Sequence, residues 1–276
     1  MIIDYEQQLR ELVPNVFATV KGETPLSAKL APFVSSAEQW IISTFTSMEV
    51  MRQICLLEDG TPIKVTVERA VVCEAMRTAI PSLDIVITPN GFGVVSNQNI
   101  APASKERVER LIASLTEQRD ELLDALLTEL QGFEGWRATK QCQFFAATLF
   151  PTLELSDLCG FKSERWEKYL QLRQRAIEAE ESLAEEYFSQ ELMKEFRMAV
   201  VGGEISDEFA PVIRGVRAQV VAMIGGEPIS TRRMVALVNF IRNRPESFSA
   251  WHNSSTAELF TPPVFKNQKK SGGYFF

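Results

Sequence analysis

Residues 104–132, SKERVERLIASLTEQRDELLDALLTELQG, decide the fold class. Val108, Leu111, Ile112, Leu115, Leu122, Leu126 and Leu130 recur at the three- and four-residue spacing that puts side chains on one face of a helix. Lys105, Glu106, Glu109, Glu117 and Asp120 fall mostly off that stripe. Ser104 suits an N-cap and Gly132 a helix end, so the stretch reads as one helix of about 28 residues spanning some 40 Å. A helix that long buries its stripe against other helices, and a mainly α bundle follows.

Toward the N-terminus, Ile2 to Leu12 reads as a short helix ended by Val13-Pro14-Asn15. From Pro25 to Leu57 apolar residues are dense, which predicts two or three packed helices broken near Ser35-Ser36, with a serine capping the second. Glu58-Asp59-Gly60 is a turn, and a further helix is expected from Pro62 to Ile80, stopped by Pro81-Ser82. Leu83 to Val95 changes character. β-branched residues flank Pro89-Asn90-Gly91-Phe92-Gly93, and Asn-Gly supplies the positive φ angles of a tight turn, so residues 83–95 form one small β-hairpin.

Toward the C-terminus, Trp136 to Gly160 is aromatic and irregular, with a short strand expected at Leu153-Glu154-Leu155. Ser163 is placed to cap a second long helix carrying Trp166, Leu170, Ile177, Leu183 and Tyr187. Its acidic residues Glu178, Glu180, Glu181, Glu185 and Glu186 read as a solvated face. Helices are expected at 190–201, 206–224 and 230–242, separated by Gly202-Gly203 and Gly225-Gly226, with a short one at 245–252. Arg232-Arg233 and Arg242 with Arg244 are assigned to helix C-termini. No repeat of 20 to 50 residues stands out. The organisation is therefore an N-terminal helical part with the hairpin (1–103), a C-terminal helical bundle (104–252) and an extended C-terminal arm (253–276).

Chemistry is sparse. The 276 residues carry a formal charge of −7, with 45% hydrophobic and 24% charged residues, an ordinary globular composition that gives no electrostatic drive toward nucleic acid. No apolar run approaches the roughly 20 residues that cross a bilayer, and the start of the chain lacks a secretory pattern, so a cytoplasmic origin is expected. Cys55, Cys73, Cys142 and Cys159 form no Cys-x-x-Cys pair and read as buried thiols. His252 is the single histidine, which leaves no zinc set and no Ser-His-Asp arrangement. Gly91-Phe92-Gly93 lacks the third glycine of a dinucleotide fingerprint, and no Walker motif exists. Neither a metal nor a cofactor is expected, and the chain reads as a binding protein rather than an enzyme.

One stretch resembles a known group. Asn90-Gly91-Phe92-Gly93-Val94-Val95-Ser96-Asn97, followed by Asn99-Ile100-Ala101-Pro102-Ala103-Ser104-Lys105-Glu106-Arg107-Val108, is similar to a family of uncharacterised proteins of Bacteroidetes genomes and their phages and prophages. The resemblance covers about an eighth of the chain. It implies a virion structural protein encoded near capsid and portal proteins, of the kind that forms head–tail connector rings. Its partners would be further copies of itself, the portal protein and tail or neck proteins, with DNA passing through the ring but no specific nucleic-acid site. A tail terminator or minor capsid protein is the nearest alternative. From other classes come a cytoplasmic enzyme with an unrecognised site and a regulatory or scaffold module on a mobile element.

The candidate contact residues fall in two places. Asn90, Gly91, Phe92 and Gly93 put a large aromatic at a turn tip, where it meets a neighbouring subunit or else folds back onto Trp136 to Phe150. Phe260, Val264, Phe265, Tyr274, Phe275 and Phe276 are the apolar anchors of an arm too short to form its own core.

Overall fold

The computed structural model describes residues 26–83, 86–88, 91–93 and 104–261, and they form a helical bundle with one two-stranded β-hairpin. The helix expected at 2–12 and the link at 96–103 lie outside these residues. In chain order the helices are α1 (Leu26–Ile41), α2 (Met48–Cys55), α3 (Pro62–Leu83), α4 (Lys105–Gln131), α5 (Glu134–Arg137), α6 (Lys140–Phe145), α7 (Glu154–Leu158), α8 (Arg165–Leu183), α9 (Gln190–Gly202), α10 (Phe209–Ile224), α11 (Thr231–Arg242), α12 (Ser249–His252) and α13 (Ser255–Leu259). Two π-helical turns, π1 (Ile42–Thr46) and π2 (Ala184–Phe188), continue α1 and α8. Strands β1 (Val86–Thr88) and β2 (Gly91–Gly93) pair antiparallel.

These elements repeat. α1, π1, α2, α3, α4, α5 and α6 make a first module; α8, π2, α9, α10, α11, α12 and α13 make a second in the same order. In each, a long helix ends in a π turn whose last bond runs from a serine N–H to the carbonyl five residues back, Ser47 to Ile42 at 2.9 Å and Ser189 to Ala184 at 2.8 Å. Both serines take positive φ, 96° and 69°, a region most side chains avoid. Each then caps the next helix, Ser47 Oγ accepting from Val50 N–H and Ser189 Oγ from Leu192 N–H.

The matching continues downstream. Ending a helix at π1 or π2 orphans its last carbonyls, and an indole takes one in each module: Trp136 Nε1 donates to Phe45 O at 2.6 Å, Trp251 Nε1 to Tyr187 O at 2.8 Å. Three residues on, Thr139 and Ser254 cap α6 and α13. Phe145 and Phe260 then close each unit, Phe145 against Phe45 and Trp136, Phe260 against Tyr187 and Trp251. The residue pairs Ala37-Glu38 and Ala179-Glu180, Glu49 and Glu191, Met51 and Met193, and Phe133 and Phe248 occupy equivalent places. A tandem duplication with divergent loops accounts for all of this. The repeating unit is a whole module, far longer than the 20 to 50 residues over which no repeat stands out in the sequence.

Several other expectations change. α1 runs straight through Ser35-Ser36, with Ser36 Oγ bonded back to Pro32 O, and the break falls at Ser47 instead. α3 passes Pro81 and ends at Leu83. The register Val86↔Gly93, Ile87↔Phe92, Thr88↔Gly91 puts Gly91 and Phe92 in a strand, so Phe92 is not at a turn tip. Leu153-Glu154-Leu155 is no strand, because α7 begins at Glu154. α8 starts after Glu164 at φ 51° with no side-chain cap from Ser163. Asp120 is buried on α4, whereas Leu111 is exposed. Arg232-Arg233 sit in the first turn of α11 rather than at a C-terminus, while Arg244 does bond back to Phe240 O.

Residue 104 marks no packing boundary, since α4 lies along α3 and one apolar core runs from Leu30 to Ala257. The fold likewise continues past 252: α13 buries Thr256 and Ala257 against that core. Removing residues 253–276 would therefore cut into the second module.

The serine turns yield a first prediction. Ser189→Ala loses the cap and keeps the strained backbone, so a cost of about 1–2 kcal/mol is expected in denaturant unfolding, against a few tenths for Ser189→Gly. Equal losses would mean the turn carries no strain.

Candidate functional site

The chain's chemistry is concentrated where the two modules meet. After α6 the backbone leaves the first module as Thr148-Leu149-Phe150-Pro151 and enters a slot between α8 and α10. Leu149 N–H donates to Glu180 Oε1 at 2.7 Å, and Arg217 Nε donates to Leu149 O at 3.0 Å. The Arg217 guanidinium covers the Phe150 ring at 4.9 Å and pairs with Glu154. Tyr169 hydroxyl donates to Phe150 O at 3.1 Å. Leu149 and Phe150 are fully buried.

Glu180 is the pivot of this joint. It is 0% exposed and accepts from Arg197 Nε at 2.8 Å as well as from Leu149. Burial pushes its carboxyl above the ordinary range, against the pull of Arg197 and the Leu149 N–H. The reading of Glu180 as part of a solvated acidic face is thus wrong, although Glu178, Glu181, Glu185 and Glu186 beside it are exposed.

A second joint surrounds Arg119 of α4, 1% exposed. It donates to Asp120 Oδ1 at 2.6 Å, to Glu167 Oε2 on α8 at 2.8 Å and to Glu74 Oε2 on α3 at 3.4 Å. Glu74 is also gripped by Arg77 at 2.7 and 2.8 Å. Burial raises the Asp120 carboxyl; the Glu167 carboxyl is raised by burial but pulled further down by Arg119, so it ends below its usual value. Nearby, Arg165 on α8 bridges Asp124 and Asp157, and Asp124 accepts from Leu153 N–H. Among the rings of α8, Trp166 lies 4.8 Å from Phe45, and Tyr169 6.0 Å from Phe145. Arg119–Glu74, Arg119–Glu167, Arg165–Asp124 and Arg165–Asp157 join different helices, while Arg119–Asp120 and Arg77–Glu74 pair within one helix. The arrangement fixes helices relative to one another.

Next to the Glu180 joint a groove of about 570 Å³ runs between α7 and α10, lined by Leu158, Ile205, Ile213, Arg214, Arg217 and Val221. Among the described residues no group of His, Cys, Asp and Glu is placed to hold a metal ion, and no helix is long and apolar enough to cross a membrane.

Of the expected contact residues, Gly91, Phe92 and Gly93 form β2, and Asn90 lies outside the described residues. Phe260 turns onto its own chain against Tyr187 and Trp251, with its carbonyl bonded by Arg242. It closes the second module. Val264, Phe265, Tyr274, Phe275 and Phe276 lie outside the described residues. Sequence reasoning missed Glu180, Arg217 and Arg119; the available signal, for Glu180 alone, was the recurrence of Ala-Glu in both halves.

The thiols give a second prediction. Burial raises the pKa of all four, that of Cys73 to about 12. Only the half-buried Cys55 and Cys159 are expected to alkylate before the chain unfolds, and slowly at neutral pH. Early labelling of Cys73 would contradict the packing of α3.

Residues 28–146 match the model of a family of unknown function (DUF6712). The match starts in α1 and ends one residue after α6, so it takes in the first module and stops where that module closes. No curated protein and no solved structure matches the chain.

Proposed function

We propose that this chain is a structural protein of a phage virion, a subunit of a head–tail connector ring beneath the portal. The observation that supports it best is the construction of the body: one helical unit used twice, with a short arm leaving the first unit and gripped by the second through Glu180 and Arg217. Such a device passes from unit to unit and suits assembly. The buried ion pairs at both joints make a stiff building block rather than a hinge. The virion setting rests on the resemblance of Asn90–Asn97 and Asn99–Val108 to proteins of phages and prophages. Within this reading the portal and neck proteins are the partners above and below, and DNA passes through without a sequence-specific contact.

Two measurements test it. The purified chain, alone or with its cognate portal, should give closed multi-subunit particles by native mass measurement. The flanking genes should encode portal, capsid and tail proteins; metabolic neighbours would overturn the assignment. A third prediction concerns the hairpin. Phe92→Ala should weaken assembly by more than about 1 kcal/mol per contact while leaving the melting temperature nearly unchanged. Equal loss of both would place Phe92 in its own subunit's packing.

A further inference from the structure

The core-facing stripes of α3 and α4 run on past the bundle. On α4, Leu115 is 3% exposed, whereas Leu111, one turn earlier on the same face, is 41% exposed, with Val108 and Ile112 half-buried beside it. On α3, Ala79 is 0% exposed and Leu83, one turn later, is 36% exposed. The two ends are level. Arg119 of α4 meets Glu74 of α3, and Thr66 of α3 meets Glu129 of α4, an antiparallel register that sets Leu83 opposite Leu111. α1 packs along α3 and runs antiparallel to it: Lys64 in the first turn of α3 bonds to Cys55 O, and Glu38 near the end of α1 acts on the same Cys55. The start of α1 therefore points toward Leu83. With 16 residues against the 22 of α3, α1 stops about 9 Å short. Large apolar residues aligned on a core stripe are packing positions, unlike single leucines scattered over a surface.

We propose that this face takes the N-terminal segment of the same chain: residues 2–12 dock as a helix on Leu83, Val108, Leu111 and Ile112, adding one element to the first module beyond the start of α1. Ile2, Tyr5, Leu9 and Leu12 fall at three- and four-residue spacing, which gives such a helix one apolar edge. Its eleven residues measure about 16 Å, against about 15 Å for the ten residues of α4 that precede Leu115. The charges agree as well. On the first two turns of α4 the exposed Lys105, Arg107 and Arg110 outnumber Glu106 and Glu109, while in the segment Asp4, Glu6 and Glu11 outnumber Arg10. Residues 13–25 lead straight into Leu26 at this end of the module, and extended they reach about 40 Å. So short a tether keeps the helix concentrated beside its site, which favours its own chain over a neighbour's. Residues 96–103, which run into α4, carry Ile100 as their one large apolar residue and offer no stripe to match. The contact needs neither a ring nor a virion setting.

The test uses the full chain with the photoreactive residue p-benzoylphenylalanine in place of Leu111, whose exposure leaves room for the larger ring. On irradiation it should crosslink to residues 2–12. In a mixture of isotope-labelled and unlabelled chains, each product should join residues of one chain. Leu9→Asp with Leu12→Asp should abolish that product. In the chain that keeps Leu111, the same pair of substitutions should speed amide hydrogen exchange at residues 109–115 at least about tenfold, while the amides of α8 to α11 keep their rates. Should the aspartate pair unfold the chain, Leu9→Ala with Leu12→Ala replaces it. Crosslinks to residues 2–12 of another chain would overturn the same-chain contact and show an exchanged segment instead. Crosslinks that fall only on 96–103, no crosslink at all, or exchange at 109–115 that ignores the substitutions would each overturn the docking itself.

Discussion

Glu180→Ala is expected to cost about 3–5 kcal/mol in reversible denaturant unfolding, one of the two largest single losses in the molecule. The substitution does more than delete an ion pair. It leaves the buried Leu149 N–H without an acceptor and strands the Arg197 guanidinium, which is largely buried beside it. It also opens a cavity between α8 and the arm. Glu180→Gln separates these effects: the amide oxygen still accepts from Leu149 while the amide N–H group faces Arg197, so a smaller loss is expected, confined to the Arg197 contact. The folded-state pKa of Glu180 lies above its unfolded value, so the folded chain binds that proton more tightly. The stability it contributes is therefore complete at low pH and declines as pH rises through the raised value. The Glu180→Gln variant should accordingly gain on the native chain as pH rises above the ordinary glutamate range. A Glu180→Ala loss below about 1 kcal/mol would show that the arm is not held by this carboxylate.

How much of this was legible beforehand depends on what kind of signal each feature left. Helix ends carried strong local punctuation, and Gly203 at φ 70° and Gly226 at φ 87° are used as the double glycines suggest. Long stripes such as that of α4 fixed the fold class. Glu180 was illegible because it lies among exposed glutamates of the same type. Periodicity sorts apolar from polar positions, and it has no means of telling which of several acids turns inward to meet Arg197. The repeat was hidden for a different reason. Its period is that of a whole module, and the extra hairpin and the longer α3 and α4 shift the matched positions out of register. What survives are single residues with backbone jobs: a serine after a π turn, an indole on an orphan carbonyl, a hydroxyl cap three residues later. The end of the second module could have been found by that logic. Trp251, Ser254 and Phe260 repeat the spacing of Trp136, Thr139 and Phe145, so 253 was too early a place to start the arm.

The two indoles offer the sharpest test of the duplication itself. Trp136 and Trp251 are buried, and each donates to the carbonyl of an aromatic residue inside a π turn. Replacing either with alanine should cost about 3–5 kcal/mol, from lost burial and the cavity left behind. Replacing either with phenylalanine keeps most of the apolar contact but abandons the carbonyl of Phe45 or Tyr187, which the ended helix leaves without another partner from its own turn. That substitution isolates the hydrogen bond, and a loss of about 1–3 kcal/mol is expected at each site, similar in size. Similarity is the informative outcome, because unrelated tryptophans in unrelated surroundings have no reason to lose the same amount. The double variant adds a second reading. The two indoles sit in different modules and share no ring contact, so their losses should add within a few tenths of a kcal/mol as long as the chain unfolds in one step. Strong non-additivity would mean that the joints at Arg119 and Glu180 transmit one module's loosening to the other. A loss at Trp136 alone would mean that the second module keeps the form of the first without its energetics.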